Sequence, residues 1–382
     1  MKLRKWQLFV FIILLFGVSF IVINQKFDKF YRVNGINNDN RVLIERYLDE
    51  KEQTYLIDNQ IQIDLFIDYI RSDDFILQNY QYYNALKESG RYKSHKSILN
   101  TGNSLATRLN YLYQENALTY ANKLIEAQLE DAFLHESQFS FDYFNIYANM
   151  KTIYPEKDYS YVSDVKHYVQ KLNEIGVTRI QDLETAFQEL TQSYSKSALE
   201  KLLDATVDTS TIKVFNPNEL STVVDNTHYI GCYEPKDLLL VQDIPRVQYA
   251  MYLQSDAYNA LLNMYADLNK TYKNFLLMDT YRSYQSLTHD RIGYDEFQLG
   301  LSIRVSELGT LYKDFENTDM SKWLEEHAYE YGFVLRYPKN KASQTNHTYD
   351  AHIYRYVGKS LAQSLHDAKI TLEEYQNMES ET

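Results

Sequence analysis

The order of apolar and polar residues divides this chain into three stretches. An uncharged apolar run covers residues 8–23 and follows Lys2, Arg4 and Lys5. Between about residues 41 and 208, apolar residues recur every three to four positions, which predicts amphipathic helices. Between 209 and 382, short β-branched and aromatic runs alternate with helical patterns and turn signals, which predicts an α+β domain.

The length of the apolar run near the N-terminus bears on whether the protein is anchored in a membrane. A helix rises about 1.5 Å per residue, so this run with its flanks can just cross a bilayer. The pattern predicts a signal anchor over residues 1–25, single-pass, with the basic end in the cytoplasm and the bulk of a bacterial protein outside. A cleaved signal peptide is the alternative, but no alanine precedes Ala85 to form an Ala-x-Ala cleavage site. Residues 26–40 are polar and predict a tether.

The helical stretch, residues 41–208, contains a weak internal repeat. Each copy is predicted to be a helix of about ten residues, a short break and two more short helices. The first copy covers 42–51 and 57–69, and the second covers 165–176 and 180–203. This stretch has no arrangement of residues typical of catalysis. We interpret it as a helical spacer, and the sequence does not say what it binds.

The final stretch, residues 209–382, is predicted to mix helices and strands. Helical patterns cover 249–268 and 321–331, whereas 275–278 and 333–337 are short apolar runs typical of buried strands, the second stopped by Pro338.

The net charge and the cysteine count limit the kinds of partner and of covalent cross-link that this protein can have. The formal net charge of −13 argues against nucleic acid, because phosphate binding needs a basic surface. The chain has one cysteine, Cys232, so no disulfide forms within it.

Several short motifs follow one another in the last stretch. They are Tyr281-Arg282-Ser283-Tyr284, Gly293-Tyr294-Asp295-Glu296-Phe297-Gln298-Leu299-Gly300, Trp323-Leu324-Glu325-Glu326-His327, Tyr331-Gly332-Phe333-Val334-Leu335-Arg336-Tyr337-Pro338 and Tyr349-Asp350-Ala351-His352-Ile353-Tyr354-Arg355-Tyr356-Val357-Gly358. Together they make residues 215–378 resemble the VanY-type D-alanyl-D-alanine carboxypeptidases, zinc enzymes that trim peptidoglycan stem peptides. The resemblance implies a small mixed or antiparallel sheet with flanking helices.

The resemblance also exposes a conflict at the metal site. The family pattern Ser-x-His-x-x-Gly-x-x-x-Asp, followed by Glu-x-x-His, supplies three zinc ligands and a general base. The matching ligand positions here hold Phe297, Arg304 and Ile353. Zinc needs side chains with lone pairs, which phenylalanine and isoleucine lack, and an arginine brings positive charge. We therefore predict that the zinc cofactor is lost, with none in its place.

Other positions keep suitable chemistry. The resemblance implies that Arg282, Ser283 and Gln298 contact substrate and that Asp350 occupies the general-base position, one methylene shorter than glutamate. An ordinary ion pair is an equally good interpretation of Arg282. We also predict that Arg304 pairs with Asp350, since a carboxylate left without the metal would otherwise be unpaired.

A rebuilt metal site is the main alternative at these positions. It would use side chains near the lost ligands: His289, Asp295, His347 and Asp350. His352 is adjacent to position 353, but on a strand it should point to the opposite face.

Three functions remain open at this point. The favoured one is a catalytically inactive carboxypeptidase-like protein that binds peptidoglycan stem peptides or regulates a cell-wall protein. The second is an active D,D-carboxypeptidase with a rebuilt metal site. The third is an interaction scaffold that uses the helical stretch, with the degenerate domain as support.

Overall fold

The computed structural model describes residues 5–27, 29–31 and 33–380. The chain forms two compact units, residues 1–139 and 140–382. The second unit therefore holds the last helices of the predicted helical stretch together with the predicted α+β domain. The division at 208/209 stays a prediction about domain structure.

The first unit is helical in the residues described. Its helices are α1 (Lys5–Phe27), α2 (Asn38–Tyr47), α3 (Glu50–Asp58), α4 (Tyr80–Glu88), α5 (His95–Tyr113), α6 (Ala117–Ala127) and α7 (Glu130–His135). Asn37 caps α2 by accepting hydrogen bonds from two backbone N–H groups, and Asp49 does the same for one N–H of α3. Apolar side chains from α2, α3 and the segment after them form its core.

Two predictions fail in this unit. The described residues contain no helix that combines the length and the apolarity needed to cross a membrane, so the predicted transmembrane helix at residues 1–25 finds no support. The prediction of two short helices over 57–69 is wrong, since α3 ends at Asp58 and a single 3-10 turn, Ile63–Leu65, follows. Gln60 has a φ of 50°, a left-handed conformation that interrupts a helix.

The second unit is α+β, as predicted. Its helices are α8 (Phe144–Met150), α9 (Tyr161–Glu174), α10 (Ile180–Ser193), α11 (Lys196–Asp204), α12 (Ser255–Thr271), α13 (Asp319–His327), α14 (Ala342–Thr345), α15 (Lys359–Ala368) and α16 (Leu372–Ser380). Its strands are β1 (Ile212–Lys213), β2 (His228–Tyr229), β3 (Leu238–Leu240), β4 (Tyr252–Gln254), β5 (Phe275–Asp279), β6 (Ser302–Glu307), β7 (Phe333–Tyr337) and β8 (Asp350–Tyr356).

Four of these strands build the main sheet, in the order β5-β6-β8-β7 and antiparallel throughout. Two small sheets accompany it, one pairing β1 with β2 in parallel and one pairing β3 with β4 antiparallel. The expectation of a small mixed or antiparallel sheet with flanking helices is confirmed.

The predicted boundaries of helices and strands in this unit are correct in one case and wrong in another. The strand predicted over 333–337 is confirmed as β7. The helix predicted from residue 249 begins only at Ser255, because Tyr252–Gln254 pairs with β3 instead. Tertiary pairing overrides a helical pattern when a neighbouring strand offers hydrogen bonds at a helix start.

The central strands β6 and β8 position the site. In β6, Ile303 and Val305 are buried, whereas Arg304 between them keeps part of its surface open. In β8, all residues between Asp350 and Tyr356 are buried. Among the residues of β6, Arg304 is one that lines a cavity.

Candidate ligand-binding site

Strand register brings the predicted site residues together. Arg304 on β6 lies directly opposite Ile353 on β8, and it also lies opposite Asp279 on β5. Residues in register on neighbouring antiparallel strands point to the same face. The sheet itself therefore places position 304 beside position 353.

Phe297 completes the group from a short 3-10 segment, Glu296–Leu299, that precedes β6. This segment ends at Gly300, whose φ of 69° suits glycine, and turns the chain into β6. The Phe297 side chain is buried and packs with Tyr337 and Ile353. The three positions that the resemblance assigns to zinc ligands therefore line one cavity.

Arg304 forms the ion pair that charge balance predicted. Its Nη1 lies 3.1 Å from Oδ2 of Asp350, with side chains 24% and 15% exposed. The same Nη1 donates to the hydroxyl of Tyr312, and the guanidinium lies 5.7 Å from the ring centroid of Phe297. Asp350 also accepts the backbone N–H of His352 at 2.9 Å. Both oxygens of this carboxylate are thus engaged.

Arg282 also has protein partners for its charge. Its Nε donates to Asp279 at 2.9 Å, its Nη2 donates to the same carboxylate, and its Nη1 donates to Asp295 at 3.0 Å. Burial would lower the pKa of Arg282, but these two carboxylates raise it above the ordinary value. The plane of the guanidinium lies 4.6 Å from the Phe297 ring. Arg282 therefore forms the ion pairs that one interpretation expected. Its contact with substrate stays a prediction.

Ser283 and Gln298 lie in very different settings. Ser283 borders an open cleft, and its hydroxyl accepts the backbone N–H of Gln285 at 3.3 Å. Gln298 is fully buried. Its amide accepts from the N–H of Gly293 and donates to the carbonyls of Gly231 and Tyr233. A direct substrate contact by Gln298 would require this network to open.

Gly293 shows how tightly that loop is held. Its φ is 82°, and an added Cβ would lie 2.4 Å from the Tyr229 ring and 2.7 Å from the backbone nitrogen of Gly231. Only glycine fits such an approach. Close packing of Gly293 against Tyr229 and Gly231 therefore holds the loop before the 3-10 segment in place. This loop in turn positions Asp295 and Phe297.

The site has two neighbouring spaces that share lining residues. The inner cavity, of about 180 Å³, lies between Phe297, Arg304, Ile353 and the loop at Asn346 and His347. The outer cleft, of about 730 Å³, has a mostly polar lining from 248–251 and 279–291. Arg282, Arg291 and Asp295 border both spaces. A ligand could therefore place its end inside and its body outside.

Comparison with known proteins extends the resemblance of the motifs. A family model described as VanY, D-alanyl-D-alanine carboxypeptidase, matches residues 287–359. A putative carboxypeptidase YodJ of Bacillus subtilis is 32% identical over 189 residues, which cover 42% of this chain and 68% of that protein. The chain belongs to the VanY family of D-alanyl-D-alanine carboxypeptidases.

The chain is also similar to a further curated protein and to a solved structure. A D-alanyl-D-alanine carboxypeptidase of Enterococcus faecium is 33% identical over 112 residues, covering 27% of this chain and 36% of that enzyme. The LdcB LD-carboxypeptidase structure has 31% identity and a TM-score of 0.41, covering 45% of this chain and 92% of that one. The chain thus spans about a third of the length of the enterococcal enzyme.

The zinc of the VanY family does not fit the residues present here. Phe297 and Ile353 offer no lone pair, and Arg304 places a cation in the same cavity. Across the described part of the chain, no three His, Cys, Asp or Glu side chains come together in a way that could hold a metal ion. His289, Asp295, His347 and Asp350 are therefore not assembled into the alternative site.

The histidines near the cavity are held by other contacts. His352 points away from Ile353, as expected from strand alternation. Its Nδ1 lies 2.7 Å from the carbonyl oxygen of Val305 and its Nε2 lies 3.0 Å from that of Tyr312. His347 does border the inner cavity, but its ring stacks on Tyr337 at 3.9 Å.

One feature of this VanY-family domain was missed by sequence reasoning. Glu296 lies under the cavity and joins two buried arginines, with Oε1 at 2.7 Å from Arg355 and Oε2 at 3.1 Å from Arg336. Arg336 also lies 2.6 Å from Glu373 on α16, in an ion pair that lacks hydrogen-bond alignment. Burial raises the pKa of Glu296, but Arg355 and Arg336 outweigh this and lower it.

A signal for this cluster was present in the motifs. Arg336 and Arg355 each interrupt an apolar strand pattern, and a charged residue in such a position is rarely buried unless it is paired. Arg355 also donates to the backbone carbonyls of Thr222 and Leu220. Two motifs that carry the family resemblance are therefore structural at these positions.

Proposed function

We propose that this protein binds the D-Ala-D-Ala end of peptidoglycan stem peptides without hydrolysing it. The observation that carries the proposal is the chemistry of the cavity lining, where the Phe297–Ile353 contact and the Arg304–Asp350 ion pair lie at the positions that the resemblance assigns to zinc ligands and the general base. These residues occupy the positions from which the family acts on its substrate.

Loss of catalysis need not remove binding. Catalysis requires interactions that are stronger in the transition state than in the ground state, whereas binding requires only the latter. The inner cavity and the outer cleft are both present beside Arg282, Arg291 and Asp295. A related structure, VanYB, is described in complex with D-alanine-D-alanine, and we extend that ligand class to this chain as part of the proposal.

Asp350 also differs from a free general base. Both of its oxygens accept hydrogen bonds, one from Arg304 and one from the backbone of His352. To take a proton from water, this carboxylate would first have to give up part of its ion pair. Its geometry therefore supports charge balance better than proton transfer.

The first experiment measures zinc content and D-alanine release on the full chain. We expect well under one zinc per chain after equilibration with zinc, and no release of D-alanine from D-Ala-D-Ala peptides. The matched variant is Phe297→His/Arg304→Asp/Ile353→His, which restores the family ligand types. We expect this variant to bind zinc more tightly, because three suitable donors then line one cavity.

Two results would change the assignment. One tightly bound zinc per wild-type chain together with D-alanine release would make the protein an enzyme. No binding to purified peptidoglycan, with the fold intact, would favour a scaffold instead.

The same proposal places the second unit outside the cytoplasm, where the peptide ligand occurs. A reporter enzyme that is active only outside the cytoplasm, fused after Thr382, tests it. Activity of the reporter is expected, and its absence despite normal expression would overturn the location.

A further inference from the structure

Three carboxylates around the cavity are already paired with protein donors. Asp279 accepts from the N–H of Thr280 and from Arg282. Asp295 is 1% exposed and accepts from the N–H of Phe297, from Arg282 and from Arg291. Asp350 accepts from Arg304 and His352. The charge of each of these three carboxylates is therefore balanced by a neighbouring arginine, whereas Asp225, which also lines the inner cavity, accepts its hydrogen bonds through Oδ1.

Two arginines of the same lining still have N–H groups that donate no hydrogen bond within the described residues. A guanidinium has five N–H groups. Within the described residues, Arg291 donates one hydrogen bond, from Nη2 to Asp295, and its side chain is 55% exposed. Arg304 donates only through Nη1, which leaves Nε and Nη2 without protein acceptors in that part of the chain. These two arginines therefore leave cationic donors unused at the cavity.

Such donors select an anion with planar, paired acceptors. Carboxylates match the fork of a guanidinium with two parallel hydrogen bonds. The size of the inner cavity narrows the choice further. Its volume of about 180 Å³ lies below the roughly 300–1,000 Å³ of pockets that enclose a whole small molecule. The inner cavity suits one terminal group, and the larger cleft suits the chain that leads to it.

We infer that the inner cavity holds the free C-terminal carboxylate of a peptide ligand through Arg291 and Arg304. The inference rests on the proposed function, because it names the group by which a D-Ala-D-Ala peptide is held. The resemblance implies that Arg282 contacts substrate, but its guanidinium is paired with Asp279 and Asp295. The inference assigns the binding of the carboxylate to two other arginines, which have unused N–H groups.

The experiment compares two ligands that differ only at the terminus, D-Ala-D-Ala and its C-terminal amide. Affinity for the full chain is measured by ligand-observed NMR titration up to millimolar concentration. The wild type should prefer the acid by about tenfold or more, which corresponds to about 1.4 kcal/mol. The amide removes the negative charge and keeps the rest of the ligand.

Variants then test the arginines. Arg291→Gln should weaken binding of the acid by about tenfold and leave binding of the amide nearly unchanged, because a charge-assisted pair is lost. Arg291→Lys keeps the charge but loses the fork, so an intermediate affinity is expected. Arg304→Gln is made together with Asp350→Asn so that no charge is left unpaired.

The matched control is Arg179→Gln, at the residue that precedes α10. Arg179 is an exposed arginine that pairs with Asp182 and does not border either space. It should bind the acid as the wild type does. Each variant is checked for an unchanged melting temperature before its affinity is read.

The outcomes separate this inference from the proposed function. Equal affinity of the wild type for acid and amide, or unchanged acid binding by Arg291→Gln and by the double variant, would overturn the carboxylate site and leave peptide binding in place. Absence of binding of either ligand by the wild type would overturn both.

Discussion

Two groups of arginines and carboxylates lie on the same small sheet, and they differ in how much water they meet. Glu296, Arg336 and Arg355 are almost completely buried, and each oxygen of Glu296 faces an arginine. Arg304 and Asp350 keep 24% and 15% of their side chains exposed and border a cavity. The buried group is closed off from solvent, although both Nη atoms of Arg336 lack a hydrogen-bond partner, whereas the unused N–H donors of the cavity group can meet a ligand.

The difference shows what each group contributes. A buried charge that loses its partner is strongly destabilising, so the Glu296 cluster belongs to the stability of the fold. A partly hydrated ion pair contributes less to stability and can still meet a ligand. Variants of the first group should therefore change stability, and variants of the second should change binding.

The largest expected effect is that of Glu296→Gln. This substitution leaves two buried guanidiniums facing a neutral amide and should lower the free energy of unfolding by about 3–5 kcal/mol. Chemical denaturation of the full chain measures it, with Glu326→Gln as the exposed control on α13. A loss no larger than that of the control would contradict the structural role of the cluster.

A smaller loss is expected for Arg304→Ala. Asp350 would keep only the backbone N–H of His352, so the free energy of unfolding should fall by about 1–3 kcal/mol. Combining it with Asp350→Asn should recover part of the loss, because the partners are coupled. If Arg304→Ala leaves stability unchanged, the charge-balance explanation of this arginine is wrong.

Asp225, on the rim of the inner cavity, supplies a test by pH. Burial raises its pKa, but hydrogen bonds from His228 and Thr227 outweigh burial and hold the pKa well below 3.8. The folded state therefore binds this proton less readily than the unfolded state does. The stabilisation is complete above the unfolded pKa and is lost as the pH falls below 3.8 toward the folded pKa.

The measurement is the free energy of unfolding of the wild type and of Asp225→Asn, taken from pH 5 downward to below pH 3.8. The variant should show a shallower decline on acidification. Parallel curves would show that this carboxylate does not contribute to acid sensitivity.

The smallest stability effect is expected for Arg291→Gln. Arg291 is 55% exposed, and Asp295 keeps Arg282 and the N–H of Phe297 as partners. The free energy of unfolding should change by no more than about 0.5 kcal/mol. A loss as large as that of Arg304→Ala would place Arg291 in the structural group and remove the basis for separating the two.

Much of the second unit was predictable from local patterns. The strand at 333–337 was bounded correctly because its apolar run ends at a proline, and the α+β class followed from alternating patterns. The helix start at Ser255 was not predictable locally, because the preceding residues pair with a strand more than ten positions earlier in the chain. The interruption at Gln60 had no glycine or proline to announce it.

The sequence by itself determined the chemistry of positions 297, 304 and 353. A phenylalanine, an arginine and an isoleucine cannot ligate zinc in any fold, and the alternation of a strand was enough to turn His352 away from Ile353. Even the pairing of Arg304 with Asp350 followed from charge balance.

Only the tertiary structure decided how the remaining charges are spent. Arg282 is neutralised by Asp279 and Asp295, Gln298 turns inward to backbone groups more than sixty residues away, and Glu296 joins arginines 40 and 59 positions along the chain. The physical reason is that a hydrogen bond depends on distance and direction in space. Residue types specify which groups can pair, and the packing of distant segments specifies which of them do.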